Sequence, residues 1–457
     1  MKRFQALLPW VAAFLGIAFS AYVFYPGYLT WDSAYQWWQV RHHVVDTAHP
    51  PIMVWVWGLT NHLLPGPGGY FLLQTCLYWL SLALFISSLR LSGLWQALLV
   101  LVLGFWPPLW GLSVHLWKDV GTLSFFCLAA ACLARDLVRP HPAWLAGAFV
   151  AIVLASMYRH NAIAAALPLM IYGFACHYKP HPPGTSLGNT SLGKFRTLLY
   201  GVFAFGLVQL VVLLPNYVLK LHSEPLWPQQ ALWDLAAVSV EEDRMLIPPE
   251  WTDPSLTMDV VRRDFNPVFS ALLFTGHLIK LNPYQSMSEH DFKVLRNAWL
   301  LLPFEYPQAY WEHRFRVTET LLGWQHDPAN ASLVFDTRIT EFKDNPKIMP
   351  RAVAARAQLE LAANTFSRSA LFQGGWYLLF SVLILGAAIW RRQKLMGALA
   401  CSGLFYVLPL LVLAPSSDFR YLGWMLQASL LAVLAPFITP GITPGITPVT
   451  SSAGTKK

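Results

Sequence analysis

Five short polar stretches interrupt an otherwise apolar chain, and each groups residues that could do chemistry. The first carries Trp31-Asp32-Ser33 and, further on, His49-Pro50-Pro51. The second is His115-Leu116-Trp117-Lys118-Asp119, and the third is Tyr158-Arg159-His160-Asn161. The fourth is Ser416-Ser417-Asp418-Phe419-Arg420-Tyr421, and the fifth is Glu305-Tyr306-Pro307 followed by Tyr310-Trp311-Glu312-His313-Arg314. A carboxylate set among aromatic residues, as Asp32 is, loses hydration. Its pKa is expected to rise, and its strength as a base with it. Arg159 and Arg420 offer planar forks that match a phosphate, and Lys118 offers a point charge. Each stretch also has a plain structural reading. Asp32 could cap a surface helix starting at Ser33, Asp119 could cap the helix after it, and Lys118 could snorkel. Arg159 could anchor a lipid headgroup. The fifth stretch reads as an amphipathic helix with an aromatic face.

The elements that hold these residues must be membrane helices. Of 457 residues, 55% are hydrophobic and only 12% charged, with mean hydropathy +0.43. Soluble domains carry about 25% charged residues and a single soluble core stops growing near 300 residues. Candidate spans lie at about 7–25, 70–89, 94–113, 120–134, 143–158, 161–177, 197–217, 369–390, 396–414 and 421–437. The expected fold is all-α: a polytopic membrane protein of about ten transmembrane helices. The apolar piece 51–64 holds Asn61 and His62 between proline-rich breaks. It is too short to span and is expected to lie on the membrane surface as a juxtamembrane first-loop helix.

Cation placement supports that choice. With the N-terminus inside, the inside segments hold Lys2 and Arg3; Arg90; Arg135 and Arg139; Lys179, Lys194 and Arg196; Arg391, Arg392 and Lys394; Lys456 and Lys457. They hold one acid, Asp136. Counting 51–64 as a span would invert most loops, against the positive-inside rule. The outside turns differ in kind, because they pair carboxylates with Lys, Arg and His. This sidedness points to one outward cavity that combines a base with cations for an anion. Residues 1–217 then form an N-terminal transmembrane module with its first outward loop at 26–69. Residues 218–368 form a mostly helical extracytoplasmic region, 369–437 the C-terminal membrane helices, and 438–457 a disordered cytoplasmic tail in which proline recurs every fourth residue. Met1-Lys2-Arg3 and the apolar run after it read as an uncleaved first span. The five cysteines lie in apolar runs, so neither a disulfide framework nor a thiolate metal site is expected. The net charge of +8 is explained by lipid and topology signals, not nucleic acid.

The order of these motifs resembles the GT-C superfamily of integral membrane glycosyltransferases, in particular the protein mannosyltransferase and aminoarabinose transferase group. The residues that carry the resemblance are Trp31-Asp32-Ser33, His49-Pro50-Pro51, Lys118-Asp119, Arg159-His160-Asn161 and Asp418-Phe419-Arg420-Tyr421. It covers residues 1 to about 217 and about 369 to 437 and is weak over 218–368. The resemblance implies a polyprenyl-phosphate-linked sugar donor in the cell (inner) membrane. The acceptor would be a glycan, lipid or protein. Both termini would be cytoplasmic and the site extracytoplasmic. Asp32 would be the general base of an inverting transfer. Lys118, Arg159 and Arg420 would bind the donor phosphate, with His49, His160, Asp119, Asp418 and Tyr421 in support. Some relatives hold a divalent metal through loop acids, which here would be Asp32 and Asp119. Lys118 beside Asp119 already supplies a cation, which favours metal-independent chemistry. The chain departs from some relatives in having one acid, Asp32, where they have paired acids. Two further readings share these residues: a transporter or flippase of a lipid-linked or anionic solute, and a ligase of a lipid-linked glycan. Few mid-span charges and no clear inverted repeat weigh against a transporter.

Overall fold

A computed structural model describes residues 2–159, 161–177, 191–219, 221, 225–276, 278–280, 287–325, 339–349, 354–367 and 369–438. Among these residues the chain is helical, and pairing of extended backbone is confined to isolated bridges. The helices of the first half are α1 (Lys2–Phe24), α2 (Trp31–His42), α3 (Pro51–Leu63), α4 (Pro67–Ile86), α5 (Gly93–Gly104), α6 (Pro107–Ser113), α7 (Lys118–Val138), α8 (Pro142–Tyr158), α9 (Ala162–His177) and α10 (Ser191–Val218). Then follow α11 (Trp227–Glu241), α12 (Met258–Asp264), α13 (Glu289–Glu305), α14 (Pro307–Leu321), α15 (Ala354–Phe366), α16 (Gly374–Trp390), α17 (Lys394–Leu413) and α18 (Gly423–Leu434). Proline opens many of them, among them α3, α4, α6, α8 and α14, where a missing N–H costs no helical bond.

Among the described residues four helices are long and apolar enough to cross a bilayer: Arg3–Phe24, Pro67–Ile86, Lys118–Val138 and Lys394–Leu413. The region expected to span as 94–113 is instead two helices, α5 and α6, meeting at 68°. Pro107 and Pro108 end one helix and start the next. The carbonyls freed at the break are used, since Tyr78 Oη donates to Leu103 O at 3.2 Å and Gly104 O at 3.1 Å. Counted as one broken span, the pair brings the number to five. Pro142–Tyr158, Ala162–Ala175, Leu199–Leu214 and Gly374–Trp390 are apolar but shorter. At 13 residues α3 is about 20 Å long, short of the roughly 30 Å hydrocarbon core.

Small residues let these helices approach. A Cβ on Gly16 of α1 or Gly104 of α5 would fall 2.4 and 2.0 Å from the Trp79 ring, which α4 buries fully between them. The helices α7 and α8 pack side by side, as do α4 and α7, α9 and α17, and α17 and α18. The expected mostly helical region is α11–α15, with α13 opened by a Ser288–Asp291 capping box. Its segment 339–349 lies as a strap over α2. Thr340 N donates to Leu29 O at 2.8 Å and Asn345 Nδ2 to Ala34 O at 2.7 Å. Phe342 sits edge-on to Trp31, Tyr35 and Trp38. The expected tail beyond Ile438, the inside segment 178–190 and His160 lie outside the described residues.

Candidate functional site

The two polar turns that follow α1 and α6 are stitched together by backbone. Tyr28 N donates to Val114 O at 3.1 Å and Leu116 N to Tyr28 O at 3.0 Å. Gln74 Nε2 satisfies the carbonyls of Ser113 and His115, at 3.1 and 2.7 Å. Ser33 Oγ reaches Leu116 O at 2.6 Å and Trp117 Nε1 reaches Thr30 Oγ1 at 2.9 Å. The first turns of α2 and α7 therefore lie side by side, which brings Asp32 to Lys118 and Asp119. Neither acid is a cap: the N-cap positions are Thr30 and Trp117.

The structure gathers eight of the nine sequence-derived site residues into one network; the ninth is His160. Asp32 Oδ2 accepts from Arg420 Nη1 at 3.0 Å. Lys118 Nζ donates to His49 Nδ1 at 3.1 Å, so Nε2 carries the proton of the neutral ring, and that nitrogen lies 3.9 Å from Asp32 Oδ1. Asp119 is paired with Arg159 and lies 3.9 Å from Arg420 Nε. Asp418 Oδ2 pairs with Arg420 Nε at 2.6 Å, and its other oxygen takes the Arg420 backbone N–H at 3.3 Å. Arg159 Nε donates to Asn161 Oδ1 at 3.0 Å and its guanidinium stands 4.5 Å over the Tyr421 ring. The fifth polar stretch does not join this cluster. His313 and Arg314 are buried against Asp234 elsewhere, in keeping with a packing role.

Three carboxylates meet two guanidiniums and one lysine here, but they are not equally open. The Asp32 side chain keeps 26% of its surface, against 3% for Asp119 and 10% for Asp418. Lys118 is also partly exposed. It bonds neutral His49, and no carboxylate among the described residues lies within ion-pair distance of it. Burial and the neighbouring Lys118 push the His49 pKa down to about 3, in line with its neutral ring. For Asp32 the sequence expectation of a raised pKa is overturned. Burial does act upward, but Arg420, with His49 and Lys118 behind it, outweighs burial and holds the carboxyl well below the usual range. Burial raises the Asp418 carboxyl despite Arg420. The Asp32–Asp119 pair does not fit a divalent metal: Arg420 occupies the gap between the two acids, and each already faces a guanidinium.

Sequence reasoning missed a stack of rings behind the cluster. Arg356 lies 4.4 Å over Tyr28, Tyr28 is 5.1 Å from His115, His115 stacks on Trp117 at 4.0 Å, and Arg420 lies 5.0 Å over Trp117. The only sequence signal was the aromatic content of the 25–31 and 115–117 turns. It also missed Asp46. The Tyr35 hydroxyl donates to one oxygen of this buried carboxylate, and the other takes the Ala48 N–H at 3.0 Å, which fixes the approach to His49. No family model, curated protein or solved structure matches the chain.

Proposed function

We propose that the chain is a membrane glycosyltransferase that moves a sugar from a polyprenyl-phosphate carrier to an acceptor on the extracytoplasmic face. One observation carries this reading: a single open carboxylate, Asp32, stands among Lys118, Arg159 and Arg420 at the ends of apolar helices. That is the equipment for deprotonating a nucleophile beside an anionic leaving group held by a lipid. On this reading the chain crosses ten times, by the four long helices, the α5–α6 pair, the four shorter apolar helices and α18, with both termini in the cytoplasm and the cluster outside the cell (inner) membrane.

In the resting site Asp32 is a weak base because Arg420 holds it. A donor phosphate competes for Arg420, Lys118 and Arg159 through charge-assisted bonds. Drawing Arg420 away lifts the Asp32 pKa towards the ordinary carboxylate range. The donor therefore binds first, and its binding arms the base. The acceptor oxygen attacks the sugar C1 as Asp32 takes its proton. The C1–O bond to phosphate breaks with inversion, its electron pair leaving on the polyprenyl phosphate. Cations already fixed around that oxygen stabilise the transition state without reorganisation.

The test uses the purified protein in liposomes with polyprenyl-phosphate sugar labelled in the sugar. Transfer of label to an acceptor, with release of unlabelled polyprenyl phosphate, is the expected result. Movement of intact labelled lipid across the bilayer without bond cleavage would overturn the reading in favour of a transporter. No transfer from the single-sugar donor, with transfer only when a preassembled glycan is supplied on the polyprenyl carrier, would overturn it in favour of a ligase.

A further inference from the structure

The helix α14 leaves an aromatic face open, carrying Trp311 and Phe315, the latter 62% exposed. Gln308, Glu312, Arg316 and Glu319 interleave with them around a shallow groove of about 430 Å³. The buried face of α14, through Arg314, and its edge at Thr318 are tied to the end of a membrane-length helix. Thr318 Oγ1 donates to Leu411 O, within the last turn of α17, and Arg314 Nη1 donates to Ala414 O at 2.8 Å. Moving back along α14 from Thr318 to Arg314 thus moves outward along the chain from Leu411 to Ala414. At its other end α14 runs into α16. Gly375 N donates to Leu322 O at 2.9 Å, and a Cβ on Gly375 would meet the Trp324 ring at 2.2 Å. The open face therefore continues through Trp324 and Trp376 onto the exposed apolar side of α16, where Leu379 and Leu383 lie.

We propose that the outer face of α14 is seated in the bilayer interface on the side of the Asp32 cluster, and that the partner it fits is the lipid surface itself. The depth agrees. At 1.5 Å per residue, Phe315 lies at most about 4.5 Å and Trp311 at most about 10 Å beyond Thr318. The headgroup layer outside the hydrocarbon is about 6 Å thick on each side. Aromatic rings interleaved with Gln, Glu and Arg suit that layer, where apolar bodies and polar tips are both satisfied. A purely hydrocarbon surround would not suit Glu312 and Arg316, which pair at 3.3 Å. Through Arg314 and Ala414 the same helix sets the height of the turn that carries Asp418 and Arg420. This inference rests on the membrane helices and not on glycosyl transfer.

The test places a nitroxide on single cysteines in a background with the five native cysteines replaced, in phosphatidylcholine nanodiscs. Trp311→Cys and Phe315→Cys are compared with Leu383→Cys on α16 and Lys293→Cys on the exposed polar part of α13. Collision rates with oxygen and with a water-soluble nickel chelate report depth. The expected oxygen-to-nickel ratio at 315 is severalfold that at 293 and below that at 383, with 311 between 293 and 315. Ratios at 311 and 315 equal to that at 293 would overturn the proposal. So would spin–spin broadening that appears only with two copies per disc, because a second chain would then cover the face.

Discussion

Two buried charge networks stand apart in this molecule, and they differ in what they leave open. Around Asp234 everything is closed. Asp234 is fully buried and takes a two-oxygen grip from Arg314, with Trp299 Nε1 donating at 2.7 Å and His313 Nε2 3.3 Å away. Arg314 spends its other arm on the backbone carbonyl of Ala414. Around Asp32 the carboxylate keeps an open edge, and Lys118 beside it bonds only a neutral imidazole. The first network matches its charges and ends on backbone, as a structural clamp does. The second leaves a base accessible among cations that a ligand can claim. The residue types are nearly the same in both, so exposure and partner choice separate a site from a clamp.

Asp32→Asn breaks the comparison most directly. It removes the base while keeping the shape. General-base removal costs about 10²- to 10⁴-fold, so sugar transfer is expected to fall by that factor with the unfolding midpoint in detergent nearly unchanged. Wild-type activity in this variant would remove Asp32 from its role. Asp234→Asn should do the opposite. It strands the Arg314 charge in a dry site, and breaking such a pair costs about 3–5 kcal/mol, read as a lowered thermal midpoint. Replacing both partners at once, as Asp234→Leu with Arg314→Met, should recover most of that loss. If Asp32→Asn unfolds the protein and Asp234→Asn spares it, the assignment of roles is reversed.

Much of the Asp32 cluster was legible because its members sit at helix mouths in a fixed order, where a charge in an apolar sequence is conspicuous. Expecting Asp32, Lys118, Arg159 and Arg420 in one cluster required only the position of each apolar run. The clamp was half legible: Arg314 stood out on an amphipathic helix, but Asp234 sits 80 residues away inside α11 with no periodic mark. The break between α5 and α6 was written in Pro107-Pro108, yet the summed hydropathy of 94–113 concealed it. The strap at 339–349 was illegible, because its fit to α2 depends on backbone bonds and on Phe342 entering an aromatic group more than 300 positions earlier. The Asp32 pKa was misjudged for one physical reason. Desolvation can be read from neighbours in sequence, whereas the cation that reverses its sign, Arg420, arrives from position 420.

Acid sharpens the comparison by a smaller amount. The His49 pKa is depressed in the folded chain from 6.5 to about 3, by burial first and then by Lys118. Between those values the unfolded chain binds the proton that the folded chain refuses, so stability rises with pH across the window and falls as pH drops below 6.5. The slope for one such group approaches 1.4 kcal/mol per pH unit, roughly. His313 is depressed in the same direction, by burial despite Asp234, and adds its own slope. Replacing His49 by Gln should remove one share of this dependence in denaturant titrations at pH 7.5 and pH 5 and leave the His313 share. An unchanged slope would mean that His49 is charged in the folded chain, which its acceptor bond from Lys118 forbids.

The smallest expected effect tests the stitch that holds the two active turns together. Ser33 is buried, and its hydroxyl donates to Leu116 O at 2.6 Å, one turn of chain before Lys118 and Asp119. Ser33→Ala removes this bond, and a typical intramolecular hydrogen bond contributes about 1 kcal/mol net. The thermal midpoint should fall slightly. The more telling readout is kinetic. If the bond sets the spacing between Asp32 and Lys118, the acceptor step slows by more than donor affinity falls, because two of the three proposed phosphate ligands, Arg159 and Arg420, are seated by Asn161 and Asp418 instead. Equal loss in both would place Ser33 with the scaffold, alongside Asp234. A loss confined to turnover would extend the active cluster one residue past Asp32 and set its boundary against the clamp.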